Sequence, residues 1–359
     1  MISSAAFFTA FLTCGLALAV LIGQATRIGL IDHPVGRKDH THPVPVVGGI
    51  GILLGLLVGF WVSGVLTMPV TGLLTAGVLL VGIGAIDDLR DIHWAPRILA
   101  QVFASLLLVV VGDVVLTRLG LPDAAVDLQL GLVALPFTIF AVVGLINAVN
   151  MVVGLDGLAG SLSLCSLLMM LTLASYSGNA QVHQDLLICI GSVCAFLLFN
   201  VRFRGRIRAL TFLGNGGSAL MGLMLAWAAI RLTHEGSSPM TPALAPWLIS
   251  VPILDCLGLI AKRVHSGRSP FAGDRTHLHH LLLDRGLSVN HVILACIGLQ
   301  LGLAGTGTAL ALAGTPDWAL IVAFIVVLAA YLQLTLGLAS RRKLDNLASE
   351  VSAVGTQLR

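Results

Sequence analysis

Eleven apolar runs follow one another along the chain, and they constrain the fold more than any other feature. Each is roughly 20 residues long, enough to cross the hydrocarbon core of a bilayer as an α-helix. Hydrophobic residues make up 57% of the 359 positions and charged ones 10%, which excludes a soluble domain of this size. We therefore predict an all-α, polytopic integral membrane protein with about eleven transmembrane helices. The runs are 4–24, 46–64, 68–86, 98–116, 129–150, 159–177, 184–201, 210–230, 241–261, 290–313 and 317–339.

Lysines and arginines fall almost entirely in alternate loops between these runs. Of the 20 basic residues, only Arg118 and Arg231 lie on the other side. The positive-inside rule then predicts an N-terminus outside and a C-terminus in the cytosol. The first run has no positively charged leader, and we expect it to be retained rather than cleaved as a signal peptide. We predict one transmembrane domain over 1–340, a cytosolic tail over 341–359, and cytosolic loops at 25–45, 87–97, 151–158, 202–210 and 262–289.

Three carboxylates, Asp87, Asp88 and Asp91, stand at the cytosolic end of the third run. A single carboxylate at the centre of a bilayer costs roughly 2.5–3.5 kcal/mol, so three together need water, cations or a metal. Mg²⁺ prefers oxygen ligands and usually joins one or two carboxylates to substrate phosphates. The cluster therefore indicates phosphate chemistry at a membrane surface. The alternative is an exposed helix end whose acids pair with Arg90.

The other polar motifs also fall on the predicted cytosolic side, which is what an active site there would need. Their glycines could form turns or close helix contacts, or could let backbone N–H groups approach a phosphate. The histidines could bind zinc, but no suitably spaced acid completes such a site, which favours contact with phosphates or handling of protons. Asp255, deep in the ninth run, could be functional or a buried, hydrogen-bonded structural acid. These motifs occupy 32–49, 147–158, 211–218 and 270–280.

The motifs, taken in order, resemble the polyprenyl-phosphate N-acetylhexosamine-1-phosphate transferase family. Within it, they are most similar to the bacterial WecA-type undecaprenyl-phosphate GlcNAc-1-phosphate transferases. The resemblance spans about residues 25–290. The residues that carry it are Asp32-His33-Pro34 with Arg37-Lys38, Gly48-Gly49, Asp87-Asp88-Leu89-Arg90-Asp91, Asn147 to Leu158, Phe196 to Asn200, Phe212-Leu213-Gly214, Arg268 to Phe271, and Asp274 to His280.

The resemblance implies a reaction, its substrates and a set of site residues. The phosphate of undecaprenyl phosphate would attack the β-phosphorus of a UDP-sugar, with UDP-GlcNAc or a related UDP-sugar expected, and UMP would leave. Mg²⁺, or Mn²⁺ in its place, would be the cofactor, and the metal ligands would be Asp87, Asp88 and Asn215. The implied catalytic residues are Asp87, Asp88 and His279, the nucleotide-sugar ligands Asn147, Asn150, Asp156, Arg268 and His280, and the lipid-phosphate ligands Arg37 and Lys38.

The same resemblance implies a place in the cell. The protein would lie in the bacterial inner membrane among membrane lipids and start a cell-surface polysaccharide, such as lipopolysaccharide O-antigen. No nucleic-acid partner is expected, and a homodimer is one possible assembly.

Two positions depart from the family pattern. Val153 and Asn215 stand where the family usually has Asp. An asparagine still offers a carbonyl oxygen, whereas a valine offers no polar contact. Three hypotheses follow: an active transferase, an impaired member that binds the lipid phosphate or the nucleotide sugar, and a transporter. A transporter would place polar groups near the middle of the membrane and repeat broken helices.

Overall fold

The fold is known from a computed structural model that describes residues 2–34, 42–119, 128–203, 205–206, 208–234, 241–269 and 276–357. Helices dominate this part of the chain. The α-helices are α1 Ile2–Ile28, α2 Gly48–Ser63, α3 Met68–Arg90, α4 Trp94–Val110, α5 Ala134–Val152, α6 Leu158–Tyr176, α7 Ala180–Asn200, α8 Gly214–His234, α9 Ala245–Leu248, α10 Ser250–His265, α11 Leu278–Leu283, α12 Val289–Leu312 and α13 Asp317–Gln357.

Short elements between the helices were not expected. Strands β1 (Ile31–Asp32) and β2 (Val44–Pro45) pair antiparallel, as do β3 (Arg118–Leu119) and β4 (Leu128–Gln129). Two short 3-10 helices, Gly131–Val133 and Pro242–Leu244, precede α5 and α9. All of these lie in connections, so the fold remains a helical one.

A helix overlaps each of the eleven predicted runs, and the helices are those of a polytopic membrane protein. Among the described residues, eight helices are long and apolar enough to cross a membrane, or nine if α9 and α10 form one bent span. Helices α2 and α4 are shorter, at 16 and 17 residues. Helix α13 runs without a break through the predicted domain boundary at residue 340.

Helix α8 lies at the centre of the bundle, and nearly all of its side chains are buried. The first and last helices lie at the periphery and expose large apolar side chains, such as Leu16 (69% exposed) on α1 and Val326 (62%) on α13. Apolar side chains on an outer helix face are suited to contact with lipid. The fold therefore surrounds α8 with helices that can face the bilayer.

The ninth predicted run is not one helix. Helices α9 and α10 meet at an angle of 89° near Ile249. Pro252 has no N–H to donate to the Leu248 carbonyl, which lies four residues before it. Gln300 of α12 replaces that bond, since its Nε2 donates to the Leu248 carbonyl and its Oε1 accepts from Val251 N–H at 2.9 Å. The break is thus satisfied inside the protein, as a membrane interior requires.

Candidate active site

A cavity of about 530 Å³ lies among the ends of α3, α4, α5, α8 and α10. Its walls combine apolar side chains with carboxylate, amide, guanidinium and imidazole groups that come from separate parts of the sequence. The polar lining residues are Asp87, Arg97, Gln101, Asn147, Asn150, Asn215, Arg263 and His277. Four of the segments singled out in the sequence therefore meet at one place.

Asp87 stands in the last turn of α3 and is only 3% exposed. Asp91 ends the helix in a left-handed conformation (φ 47°), and α4 begins three residues later. Arg97 of α4 consequently reaches back, and its Nη1 donates to Asp87 Oδ2 at 3.1 Å. The Ile92 N–H donates to the other carboxylate oxygen at 3.0 Å. The alternative of an exposed helix end paired with Arg90 is wrong, because Asp87 is buried and pairs with Arg97.

Asp88 faces α8 instead. The backbone N–H of Asn215 donates to both of its carboxylate oxygens at 3.1 Å, and the Asn215 Nδ2 donates to Oδ1 at 2.8 Å. Gly214 has φ 74°, and a Cβ there would lie 2.6 Å from Asp88 Oδ2. A Cβ on Gly84 would lie 2.1 Å from the Gly216 Cα. These glycines therefore allow close helix packing, which brings the start of α8 onto the end of α3.

The two asparagines of α5 line the cavity and are held by neighbours. Asn147 Nδ2 donates to Gln101 Oε1 at 2.6 Å. Asn150 Nδ2 donates to the Ser218 hydroxyl at 2.7 Å, and that hydroxyl donates to the Asn215 carbonyl. Both amides are thus oriented before any ligand arrives. Their predicted contact with a nucleotide sugar stays a prediction.

Asp156 organises the arginine-rich loop that follows α7. The Arg202 Nε donates to Asp156 Oδ2 at 2.8 Å, and the Ala209 N–H donates to the same oxygen at 3.1 Å. Asn200 completes this arrangement, because it accepts from Gly157 N–H and donates to the Thr211 carbonyl, each at 2.8 Å. Asp156 therefore holds the loop, and it is absent from the cavity lining; its predicted role with the nucleotide is untested.

His279 on α11 is 3% exposed, and its Nε2 has no hydrogen-bond partner among the described residues. Burial, helped by the neighbouring His280 ring, lowers the pKa of His279 to about 3, so the imidazole is neutral at pH 7. Gly154 makes room for this ring, since a Cβ there would lie 2.4 Å from Nε2. The His280 ring lies beside it at a tilt of 45°, with ring centroids 4.3 Å apart. The predicted catalytic and nucleotide roles of the two histidines stay predictions.

Asp255 is the acid that accompanies the histidines, and its distance along the sequence explains why it was not predicted as their partner. Asp255 lies 22 residues before His277, yet its carboxylate contacts the His277 Nδ1 at 2.7 Å. Ligand atoms of Asp255, His277 and His279 lie within 4.8 Å of one another. The expectation that no suitably spaced acid completes a site with the histidines is therefore wrong, because His277 and the first residue of α11, Leu278, both bond the Asp255 carboxylate in the folded chain. Of the two alternatives given for Asp255, the structure agrees with a buried, hydrogen-bonded acid.

The other basic residues considered for the site, Arg37, Lys38, Arg268 and Arg263, differ in where they lie. Arg37 and Lys38 lie outside the described residues. Arg268 is exposed, and its backbone N–H donates to the Arg263 carbonyl at 2.8 Å. Arg263, five residues earlier in the last turn of α10, is buried and lines the cavity.

Sequence reasoning missed Arg97, Gln101 and Arg263 as site residues. A usable signal was present for the first two, which lie four residues apart and so share one face of an otherwise apolar helix. Arg263 was counted only as a topology signal because the sequence placed it in the predicted loop 262–289, whereas α10 continues to His265.

Comparison with known proteins gives the class of protein first. Residues 70–233 match Glycosyl transferase family 4. Together with the helical bundle and its polar cavity, this match defines a membrane-embedded glycosyl transferase.

Individual relatives narrow that class. The undecaprenyl-phosphate alpha-N-acetylglucosaminyl 1-phosphate transferase of Haemophilus influenzae is 32% identical over 325 residues, which covers 90% of this chain and 91% of that protein. The proteins of the same name from Salmonella typhi and Escherichia coli K12 are 31% and 30% identical over 308 residues, covering 86% of this chain and 84% of each relative. The chain belongs to the family of undecaprenyl-phosphate alpha-N-acetylglucosaminyl 1-phosphate transferases.

Proposed function

We propose that this protein transfers GlcNAc 1-phosphate from UDP-GlcNAc to undecaprenyl phosphate and releases UMP. The relatives' names give undecaprenyl phosphate and the transfer of alpha-N-acetylglucosaminyl 1-phosphate. UDP-GlcNAc as the donor and UMP as the product follow from the family resemblance of the sequence motifs. The observation that carries the proposal is the convergence of Asp87, the α5 asparagines, Arg97, Arg263 and His277 on one cavity. Cations and amide groups that line one cavity suit two anionic substrates.

The chemistry assigns roles to the residues around the cavity. Asp87 would orient or deprotonate the lipid phosphate, because it is a buried carboxylate that lines the cavity at the end of α3 predicted to be cytosolic. Arg97 and Arg263 would meet the substrate phosphates, since guanidinium groups bind phosphate oxygens in a fork geometry. Asn147 and Asn150 would contact the nucleotide sugar, and Arg37 and Lys38 the lipid phosphate.

Mg²⁺ is the proposed cofactor, and the residues present fit it. Asp87 and Asn215 line the cavity, and Asp88 contacts Asn215 directly. The Asn215 Nδ2 donates a hydrogen bond to Asp88, which leaves the amide oxygen Oδ1 as a possible ligand for the cation. One or two carboxylates with substrate phosphates and waters are the usual surroundings of Mg²⁺. When bound there, Mg²⁺ would neutralise the diphosphate and favour departure of UMP.

The membrane topology is proposed on the same basis. The helix ends that carry the polar cavity are those that the distribution of basic residues assigns to the cytosol. We propose about eleven spans, with α2, α4 and the bent α9–α10 pair added to the eight long helices, an N-terminus outside, and the bacterial inner membrane as the location. The product would begin a cell-surface polysaccharide. A homodimer stays a prediction.

Measurement of UMP release tests the proposal. Purified full-length protein is incubated with UDP-GlcNAc, undecaprenyl phosphate and Mg²⁺ or Mn²⁺, and reactions without the lipid phosphate serve as the control. We expect UMP to appear only with all components, together with a lipid-linked GlcNAc diphosphate identified by mass spectrometry. Substitution of other UDP-sugars establishes the sugar. If no UMP is released with Mg²⁺ and none with Mn²⁺, the proposal is overturned.

A member that binds substrates without turnover is the second candidate, and Asn215 is the observation that favours it. Asn215 lacks the charge with which a carboxylate would hold a divalent cation. Val153 adds little to this case, because it is 41% exposed at the end of α5 and is absent from the cavity lining. Binding of UDP-GlcNAc by calorimetry without UMP release would support this candidate over the active enzyme.

A further inference from the structure

A chain of hydrogen bonds joins the last membrane helix to the cavity. Asp255 of α10 is 3% exposed and accepts three hydrogen bonds. The donors are the His277 Nδ1 at 2.7 Å, the Leu278 backbone N–H at 3.0 Å and the Tyr331 hydroxyl of α13 at 2.7 Å. Three separate elements of the fold therefore meet at one carboxylate.

We propose that Asp255 and Tyr331 are positioning residues, which hold His277 so that its Nε2 faces the substrate diphosphate in the cavity. This inference rests on the proposed function and deepens it. His277 would be the histidine that contacts the reacting phosphates, while the buried His279 packs behind it against Gly154.

The tautomer of His277 follows from its partner. The Leu278 N–H and the Tyr331 hydroxyl both donate to Asp255 Oδ1, which favours the ionised carboxylate. A carboxyl group is a stronger acid than an imidazolium ion, so we assign the proton of the contact between Asp255 Oδ2 and His277 to Nδ1. The ring nitrogen left for a ligand is then Nε2. His277 lines the cavity together with Asp87, Arg97 and Arg263. Catalytic histidines are commonly oriented in this way, with one nitrogen bound to a carboxylate and the other presented to the substrate.

Tyr331 adds a second constraint. Its hydroxyl donates to Asp255 Oδ1, whereas His277 contacts Oδ2. The two oxygens are therefore held separately, and the carboxylate cannot rotate without breaking one of the two bonds. Side chains locked in this way hold a reacting group within the narrow geometry that catalysis needs.

A metal site is the competing interpretation of the same cluster. Asp255, His277 and His279 offer two nitrogens and one oxygen, a set that suits Zn²⁺ better than Mg²⁺. The three hydrogen bonds already made to Asp255 argue against it, since a cation would have to displace the His277 Nδ1 proton. Metal content is therefore part of the test.

The experiment is a double-mutant cycle on UMP release by the full-length protein. Asp255→Asn should lower kcat about 100-fold, within the range for loss of an oriented acid–base group. Tyr331→Phe should lower it about fivefold, the loss of one hydrogen bond. KM for UDP-GlcNAc should stay within about twofold of wild type, because the proposed contact between His277 and the diphosphate acts mainly in the transition state. In a His277→Gln background, Asp255→Asn should have little further effect, since the residue that it positions is gone.

Controls separate positioning from folding. Tyr176→Phe removes the hydroxyl of the other tyrosine, which is 69% exposed on α6, and should leave kcat unchanged. Size-exclusion profiles and thermal midpoints show whether each variant is folded. If Asp255→Asn costs as much in the His277→Gln background as in wild type, the positioning role is overturned and Asp255 is purely structural.

Two further outcomes are decisive. Zinc bound in a one-to-one ratio by wild type and lost in Asp255→Asn would overturn the positioning role in favour of a metal site. A wild-type protein that releases no UMP would overturn the proposed function and this role with it, whereas an active protein with additive losses overturns this role alone.

Discussion

Two buried aspartates pair with arginines at opposite ends of α8, and the pairs differ in what surrounds them. Near the start of α8, Arg97 contacts Asp87 at 3.1 Å, and the arginine side chain stays 40% exposed. Near its end, Arg231 contacts Asp185 of α7 at 2.8 Å, and the two side chains are 3% and 1% exposed. The first pair opens onto the cavity, and the second is enclosed by helices.

The enclosed pair is completed by its neighbours. Gln181 Nε2 donates to the second oxygen of Asp185 at 2.9 Å, and the Arg231 guanidinium lies 5.2 Å from the centre of the Trp227 ring. Arg231 was expected in an outer loop, but it lies in the last turn of α8. Burial of an Asp–Arg pair therefore has a purely structural explanation when helices enclose both members. We expect access from the pair to a cavity to distinguish a functional pair from a structural one.

The largest expected effect comes from Asp87→Asn, at the open pair. We expect kcat for UMP release to fall about 1,000-fold or more, because the group that would handle the lipid phosphate loses its charge. The thermal midpoint should hardly move, since the partly exposed Arg97 stays in reach of water. A rate near that of wild type would contradict the role given to Asp87.

Substitution at the enclosed pair should change the stability of the protein and not its kcat. Arg231→Met leaves Asp185 buried without its cation, which should lower the free energy of unfolding by about 3–5 kcal/mol. The kcat of the protein that remains folded should not change. Adding Asp185→Leu should recover most of the lost stability, because the uncompensated charge is removed. Denaturation curves with parallel UMP assays check this, and a loss of kcat in stable protein would give this pair a role in the site.

How much could be foreseen from the sequence depends on the range of the contact. The length of the apolar runs predicted a helix at each of the eleven places, because that signal is local. The distribution of basic residues predicted that the polar motifs lie on one side, and residues of four of these segments line one cavity; which side of the membrane this is stays a prediction. The break near Ile249 was missed because its cause is shared between Pro252 and Gln300, which come from different helices.

Side-chain partners were harder to foresee than positions. The Asp87 and Asp88 cluster was recognised, but its partner Arg97 was not expected. The resemblance placed Asp88 and Asn215 at one metal site, yet the direct hydrogen bond between them, which joins residues 127 positions apart, was not foreseen. The contact between Asp255 and His277 was missed for the same reason. Sequence spacing describes one helix at a time, whereas these contacts follow from the packing of several.

A smaller effect is expected from Arg97→Gln, which keeps a donor but removes the charge at the open pair. We expect kcat/KM for UDP-GlcNAc to fall about 10- to 100-fold, the loss of one charge-assisted hydrogen bond to phosphate. Most of the change should appear in KM if Arg97 binds the ground state. Arg90→Gln is the matched control, because Arg90 is an exposed neighbour outside the cavity lining, and it should leave KM unchanged. Equal effects of the two substitutions would show that only the net charge of this face matters.

The smallest expected effect comes from Asn215→Asp, which adds a carboxylate beside the open pair. The wild-type Nδ2 donates to Asp88 at 2.8 Å, and an aspartate has no such donor. Two carboxylates would then repel unless a cation lies between them, so the variant should need about tenfold less Mg²⁺ for half-maximal activity. Its thermal midpoint should be lower without Mg²⁺ and should rise more steeply as Mg²⁺ is added.

Val153→Asp, at an exposed position away from the cavity, should change neither quantity, and the double variant should match Asn215→Asp alone. An unchanged Mg²⁺ requirement in Asn215→Asp would mean that the cation is held elsewhere, so the proposed ligand set would have to be abandoned.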